Sequence, residues 1–399
     1  MTSASIREYG EAMRKRYLSA SKKEKGKLLT EFCAVTKYHR KAAVRLLCST
    51  PSKTRRRGRE PQYGLPVSHA LRRLWEVSDH LCSKRLAPFI PELVDSLERH
   101  GELSLDPEVK ELVLRVSAST IDRLLRPYRK RGLRRPRSSY SSPSSIKAHI
   151  PVRTFSEWKD VQPGSLQADL VLHCGESTEG FYLTTLTAVD VATGWHVCVP
   201  VWGKGKERVG GGVHEVRSRL PFPLREIHTD NGSEFINDAL YPYCQRHGIR
   251  FTRGRPYKKN DQAYVEQKNW SIVRRLVGYD RYRARAAYGQ MERLYLLVDR
   301  YANFFQPIGK LVHKERVGAK VTKHYDLAKT PYKRLLETGL LQEAERLSLE
   351  KEYQSLNPVH LKSQIDAALD KLWKLAQQEE PTKPDNTKSL GNTLSDAAS

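Results

Sequence analysis

Apolar residues change their period along the chain. Between residues 21 and 48, Leu28, Leu29 and Phe32, then Ala43, Val44 and Leu47, recur at the spacing of helical faces. Ser21-Lys-Lys-Glu24 reads as a capping box that opens the first helix. Cys33-Ala34-Val35 reads as a short break, and Thr36 as the cap of the second helix. Residues 67–115 read as helical, with Leu71, Leu74, Trp75, Val77 and Leu81 at mixed helical spacings. Residues 116–132 repeat the helix-turn-helix pattern, with Ser119 as cap and Ile121, Leu124 and Leu125 facing inward.

From about residue 165 the pattern becomes that of strands. Strands are expected over 166–172, 181–189 and 195–202, with Asp190-Val-Ala-Thr-Gly194 as the turn between the last two. A helix over 204–219 follows, despite Gly210-Gly-Gly212. Then come a strand over 225–229, a helix over 234–247, a strand over 249–252 and a helix over 261–277. The order is βββαβαβα, an α/β unit. Beyond 280, residues 291–305 carry an apolar helical face (Leu294, Leu296, Leu297, Tyr301, Phe305), a basic stretch occupies 309–325, and helices are expected over 331–353 and 359–378.

Charge sharpens this outline. The 399 residues hold 70 Lys and Arg against 45 Asp and Glu, a formal charge of +25. Residues 1–150 hold 33 basic and 15 acidic residues, and the remainder 37 and 30. A surplus so concentrated attracts phosphates and releases counterions on binding. No apolar run reaches the roughly 18 residues that read as a membrane span, and the N-terminus lacks an apolar leader core. The expectation is a cytoplasmic, nucleoid-associated protein with no membrane partner. The six cysteines form no zinc-type pairs and read as reduced, mostly buried thiols.

Domain boundaries follow from these shifts: 1–60, a helix-turn-helix domain with a basic linker; 61–136, a second helical domain; 137–160, a Ser-rich linker; 161–280, the α/β core; 281–378, a helical region; 379–399, a polar tail expected to be disordered. Lys37, Arg40, Lys41 and Arg45 are the candidates for groove and backbone contacts in the first domain. An ordinary helical hairpin with a solvated basic face is the alternative. Arg55, Arg56 and Arg57 in the linker suit a minor groove or a run of phosphates.

Three carboxylates carry the candidate chemistry. Asp169 interrupts the apolar strand QADLVLH, where a charge needs a partner or a metal. Asp230 ends a short strand after 60 intervening residues, and Glu266 lies on the last helix of the α/β unit after 35 more. Two strand carboxylates and one helix carboxylate can converge at the carboxyl edge of a sheet and hold two hard cations. Each has a duller reading: Asp230-Asn-Gly as a turn, Asp169 paired with an arginine, Glu266 on a solvated face.

On ADLV at Asp169, HTDNGSEF (228–235) and RPYKKNDQAYVEQKN (255–269), the segment 165–282 resembles the integrase-like catalytic core of DDE transposases from bacterial insertion sequences. The resemblance implies an RNase H-like fold, Asp169, Asp230 and Glu266 as a triad binding two Mg2+ (with Mn2+ as a substitute), and a homo-multimer on double-stranded DNA. It implies no small-molecule cofactor. Residues 301–337 are similar to the family's weaker downstream segment. The paired His and Cys of the retroviral N-terminal zinc module are missing. Lys258, Lys259, Gln262 and Asn269 flank Glu266 and are candidates for DNA contacts near the cut. Arg253 and Arg255 are candidate phosphate ligands or solvated surface, and His228 is read as a core residue.

The reading that results is a transposase that cleaves its element's ends and joins the 3′ hydroxyls to target DNA. The alternatives are a domesticated transposase acting as a DNA-binding regulator, and an RNase H-superfamily nuclease that never joins.

Overall fold

The structure is a computed structural model. It describes residues 2–49, 62–129, 161–230, 232, 234–236, 240–255 and 259–377. The expected linkers around Arg55–Arg57 and 137–160, and the tail 379–399, lie outside the described residues. The chain divides into two compact units, residues 1–62 and 63–399.

The first unit is three helices: α1 (Ser3–Ser19), α2 (Lys22–Thr36) and α3 (Arg40–Cys48). The capping box forms, with Ser21 and Glu24 satisfying each other's backbone amides. Helix α2 runs through the expected break at Cys33–Val35 and ends at Thr36. The turn is Lys37–His39, where Lys37 takes a left-handed φ of 61° and His39 caps α3. Thr36 is not a cap: its hydroxyl donates back to the Phe32 carbonyl at 2.7 Å. Helix α1 lies outside the elements expected from the sequence, and its Met13 and Tyr17 close the core made by Leu29, Phe32, Ala43 and Leu47.

Among the described residues of the second unit, four α-helices precede the sheet: α4 (Leu65–Val77), α5 (Ser83–Arg99), α6 (Pro107–Leu114) and α7 (Ala118–Leu125). Ser117, not Ser119, caps α7. The sheet comprises β1 (Ser165–Leu172), β2 (Thr184–Asp190), β3 (His196–Val201), β4 (Glu226–Thr229) and β5 (Arg250–Arg253), in the order β3-β2-β1-β4-β5. The first three strands are antiparallel, and β4 and β5 add in parallel to β1. Helix α8 (Lys206–Ser218) connects β3 to β4, α9 (Leu240–Arg246) leads into β5, and α10 (Ala263–Lys268) follows it. This is the RNase H-like arrangement of a mixed sheet with crossover helices, in the expected βββαβαβα order.

The 21-residue α11 (Arg285–Phe305) covers the exposed edge of β3. Asn303 Oδ1 accepts from the His196 amide at 2.9 Å, and Asp299 Oδ1 from the Cys198 amide at 3.2 Å. These bonds satisfy strand amides that would otherwise invite pairing with another chain. Leu296, expected on the buried face of this helix, is exposed.

The basic stretch 309–325 is a hairpin, β6 (Leu311–Val317) and β7 (Lys320–Tyr325). The expected helix over 331–353 breaks into α12 (Pro331–Glu337) and α13 (Glu343–Ser355), because Gly339 takes φ 66° between them. Helix α14 (Pro358–Gln377) packs along α11.

Of the helical domain expected over 61–136, the described residues 63–129 share one apolar core with the sheet and the C-terminal helices. Tyr301 Oη donates to the Val77 carbonyl at 2.5 Å, Gln306 to Ser78 at 3.0 Å and Arg85 to Pro307 at 2.6 Å. Only Cys198 and Cys244 of the six thiols are buried, and Cys48 and Cys82 are exposed, contrary to expectation. No helix among the described residues is long and apolar enough to cross a membrane.

Candidate active site

Two adjacent parallel strands set the first two carboxylates. The register pairs Gln167 with His228. Asp169 and Asp230 each lie two residues further on, at the same level beyond the carboxyl end of that pairing. Residues two apart on a strand share a face, so Gln167 and Asp169 present their side chains to the same side of β1.

Helix α10 lies over that side, tied down at both ends. At its start, Gln167 Oε1 accepts from the Tyr264 and Val265 amides at 3.1 and 3.3 Å, while Gln167 Nε2 donates to the Asp261 carbonyl at 2.9 Å. At its end, Asn269 Nδ2 donates to Asp169 Oδ2 at 2.7 Å. Two strand residues advance about 6.6 Å, and five helical residues about 7.5 Å. The two anchors therefore match in length, and the helix runs along β1 with Glu266 between them. From Asn269 to Arg274 the helix widens to π geometry, a feature common at functional sites.

The electrostatics of Asp169 register both other carboxylates. Asp169 is pushed up to about 7, first by burial, then by repulsion from Asp230, with Glu266 adding to it. Hydrogen bonds from the Leu170 amide, 2.8 Å, and from Asn269 oppose this rise. Asp169 thus lies within electrostatic range of both Asp230 and Glu266. Asp230 also forms the turn that its Asp-Asn-Gly sequence allows, accepting from the Gly232 amide at 2.8 Å. A Cβ at Gly232 would come within 2.6 Å of the Glu234 carboxyl carbon, so a larger residue there would require the Glu234 side chain to shift.

The other candidates separate. Asn269 reaches Asp169 and does not project outward as a free DNA ligand. Gln262 is buried, contrary to the expectation of a side chain open to DNA, and its Nε2 has no hydrogen-bond partner among the described residues. Arg255 is committed to Asp261 through two side-chain bonds of 2.9 Å, which shapes the loop before α10. Lys259 opens a 3-10 turn, Lys259–Gln262, while Lys258 lies outside the described residues. His228 is buried, with Nδ1 3.0 Å from the Thr252 hydroxyl. In the first unit, Lys37, Arg40, Lys41 and Arg45 are all exposed. Gln167 was missed, although a polar residue two before Asp169 in an apolar strand was a visible signal.

The fold and the site define a protein with an integrase core, and residues 161–259 match the family model described as the integrase core domain. That segment includes Asp169 and Asp230 and ends before Glu266. Over 321 residues, the chain is 46% identical to the "Uncharacterized protein y4rM" of Sinorhizobium fredii, covering 80% of this chain and 91% of the relative. The chain belongs to the family of that protein and carries the integrase core of a transposase/integrase-type polynucleotidyl transferase. Among solved structures, the catalytic core domain of BIV integrase matches at 20% identity and a TM-score of 0.29, covering 44% of this chain and 95% of that one. The HTLV-2 integrase catalytic core in complex with magnesium matches at 19% identity and a TM-score of 0.24, covering 30% and 73%.

Proposed function

We propose that the protein is a DNA transposase of the DDE type, which cleaves the ends of its element and joins the freed 3′ hydroxyls to target DNA. The observation that carries this reading is the proximity of Asp169 on β1 to Asp230, which follows the adjacent parallel strand β4, and to Glu266 on α10, both of which raise the Asp169 carboxyl. Such mutual repulsion is what a hard cation relieves, so the oxygen-only donor set fits two Mg2+ or Mn2+ ions. Bound there, divalent ions would supply activation of the attacking oxygen and neutralisation of the leaving 3′ oxygen.

The chain's own residues do the rest. Both Asp169 oxygens already accept one hydrogen bond, which fixes the plane of the carboxylate and leaves its other lone pairs for ligation. Gln167 sets the position of α10, and with it Glu266.

The three-helix unit would recognise element ends through its helix-turn-helix. Arg40 and Lys41 begin α3, whose first turn holds no acid. Cations at that positive helix end are unfavourable in isolation and favourable beside a phosphate. Arg55, Arg56, Arg57, Lys258 and Lys259 are proposed to add backbone contacts. The working form is proposed to be a homo-multimer on double-stranded DNA, as joining two ends requires.

The test is excision and integration of a mini-element built from the DNA flanking the gene, comparing wild type with Asp230→Asn and sequencing the junctions. Junctions at inverted repeats with wild type alone are expected. Cut ends that are never joined would make the protein a nuclease, and tight binding to the flanks without either product a regulator.

A further inference from the structure

The helix that carries Glu266 has a second side, and a cavity of 590 Å³ opens behind it. Gln267, Lys268 and Ser271 form its wall on the helix side. Residues of the α4–α5 turn, α11, β7 and α14 close the remainder.

Charge in this cavity is lopsided: six Lys and Arg side chains line it against two carboxylates. Both carboxylates are already engaged. Asp79 lies 2.6 Å from Arg275 and 3.8 Å from Lys362, and Asp326 lies 2.7 Å from Arg334. Lys84, Arg85, Lys268 and Lys323 make no ion pair among the described residues. Lys268 is only 7% exposed, and Arg85 is close enough to repel it. Asp299, the acid on the far side of Lys268, is shared with the Cys198 amide and with Arg219. A buried Lys268 beside a half-buried Arg85, with this little compensation, is costly unless an anion joins them, while Lys84 and Lys323 sit at the exposed side. The rest of the lining is mixed: Ile272, Val298 and Ile308 supply an apolar wall beside Gln267, Ser271, Gln306 and His324, with the Tyr325 ring at the exposed side. An anionic head with a flat or apolar body suits this surface, and the volume lies within the roughly 300–1,000 Å³ of small-molecule sites.

We propose that this cavity binds a free mononucleotide, its phosphate taken by Arg85, Lys268 and Lys323 and its base lying against the apolar wall. The site is separate from the carboxylate cluster and does not depend on the reaction proposed for it.

The experiment is calorimetric titration of the full-length chain with ADP, with inorganic phosphate and with a short DNA duplex, all at one ionic strength. Saturable ADP binding at one site per chain is expected, with inorganic phosphate competing weakly. Lys323→Glu alters an exposed side chain on the hairpin and leaves the fold intact. It should weaken ADP by about tenfold, the loss of one charge-assisted contact. Arg85→Gln should weaken it further. Lys351→Glu, an exposed charge reversal on α13, should leave ADP binding unchanged. Equal weakening by Lys351→Glu would reduce the effect to the general attraction of a basic protein and overturn the site. Binding of the duplex with no binding of ADP would overturn it as well.

Discussion

Asn269 donates a 2.7 Å hydrogen bond to Asp169 across 100 residues of sequence. The bond ties the end of the Glu266 helix to the strand that bears the first carboxylate. Positioning and catalysis are thereby linked in one contact, and its removal is a direct test of the site. Asn269→Leu keeps the volume and removes the donor. A fall of about 10- to 100-fold in strand cleavage is expected, the usual cost of losing a group that orients a metal ligand. Cleavage rates should be measured beside thermal unfolding. An unchanged rate would remove Asn269 from the site.

The carboxylate cluster makes a prediction in pH. The native state holds the Asp169 proton up to about 7, whereas the unfolded chain releases it near 4. Between those values the native state binds more protons, so its contribution to stability falls as pH rises through the window. Asp169→Asn should abolish that fall. Mg2+ should raise the melting temperature of the wild type at about pH 8 much more than at about pH 6, because only ionised Asp169 is a ligand. Thermal unfolding with and without Mg2+ at both values checks this, and equal shifts at the two would contradict it.

Two buried histidines act in the opposite direction. His173 and His196 are each held down at about 3 by burial. Unfolded histidine titrates near 6.5, so below that the unfolded state binds more protons and stability falls with acid. The slope is about 1.4 kcal/mol per pH unit for each histidine well inside the window. His173→Asn should flatten the urea-unfolding profile between about pH 6 and pH 5, whereas Asp169→Asn should steepen it.

Gln167 is fully buried and makes three bonds to the start of the Glu266 helix. Gln167→Leu would orphan two amides and a carbonyl, at a cost of roughly 3 kcal/mol. Denaturant unfolding measures the cost. Activity should remain low even where the variant is fully folded, since Glu266 loses its anchor. Gln167→Glu keeps the acceptor for Tyr264 and Val265 and should recover more of both.

The three-helix unit predicts a salt effect. Lys41→Ala and Arg45→Ala should each weaken binding to end DNA and lower the slope of log affinity against log salt by about 1. Anisotropy titrations over a range of salt check this. Substitutions that change affinity without changing the slope would place these side chains away from phosphates.

Local rules made much of the protein legible. The capping box at Ser21, the strand alternation from 165 and the apolar faces of the helices depend on neighbours within a turn or a strand, so they can be read in one dimension. Three acidic residues at chemically sensible positions were visible too, one of them a charge in an apolar strand. Helix α1 is not among the expected elements, its apolar residues being thinly spread among charged ones.

Tertiary structure alone decided the rest. No local pattern shows that Asn269 reaches back to Asp169, or that Gln167 holds the helix between them, because both contacts depend on how β1 and α10 are superposed. Residues 63–129 look self-sufficient as a sequence, yet they are tied to a helix and its C-terminal end more than 220 residues away. The cavity behind the Glu266 helix is the extreme case. Its cations come from four separate segments, and each reads alone as solvated surface, since burial and repulsion arise only where the chain brings them together.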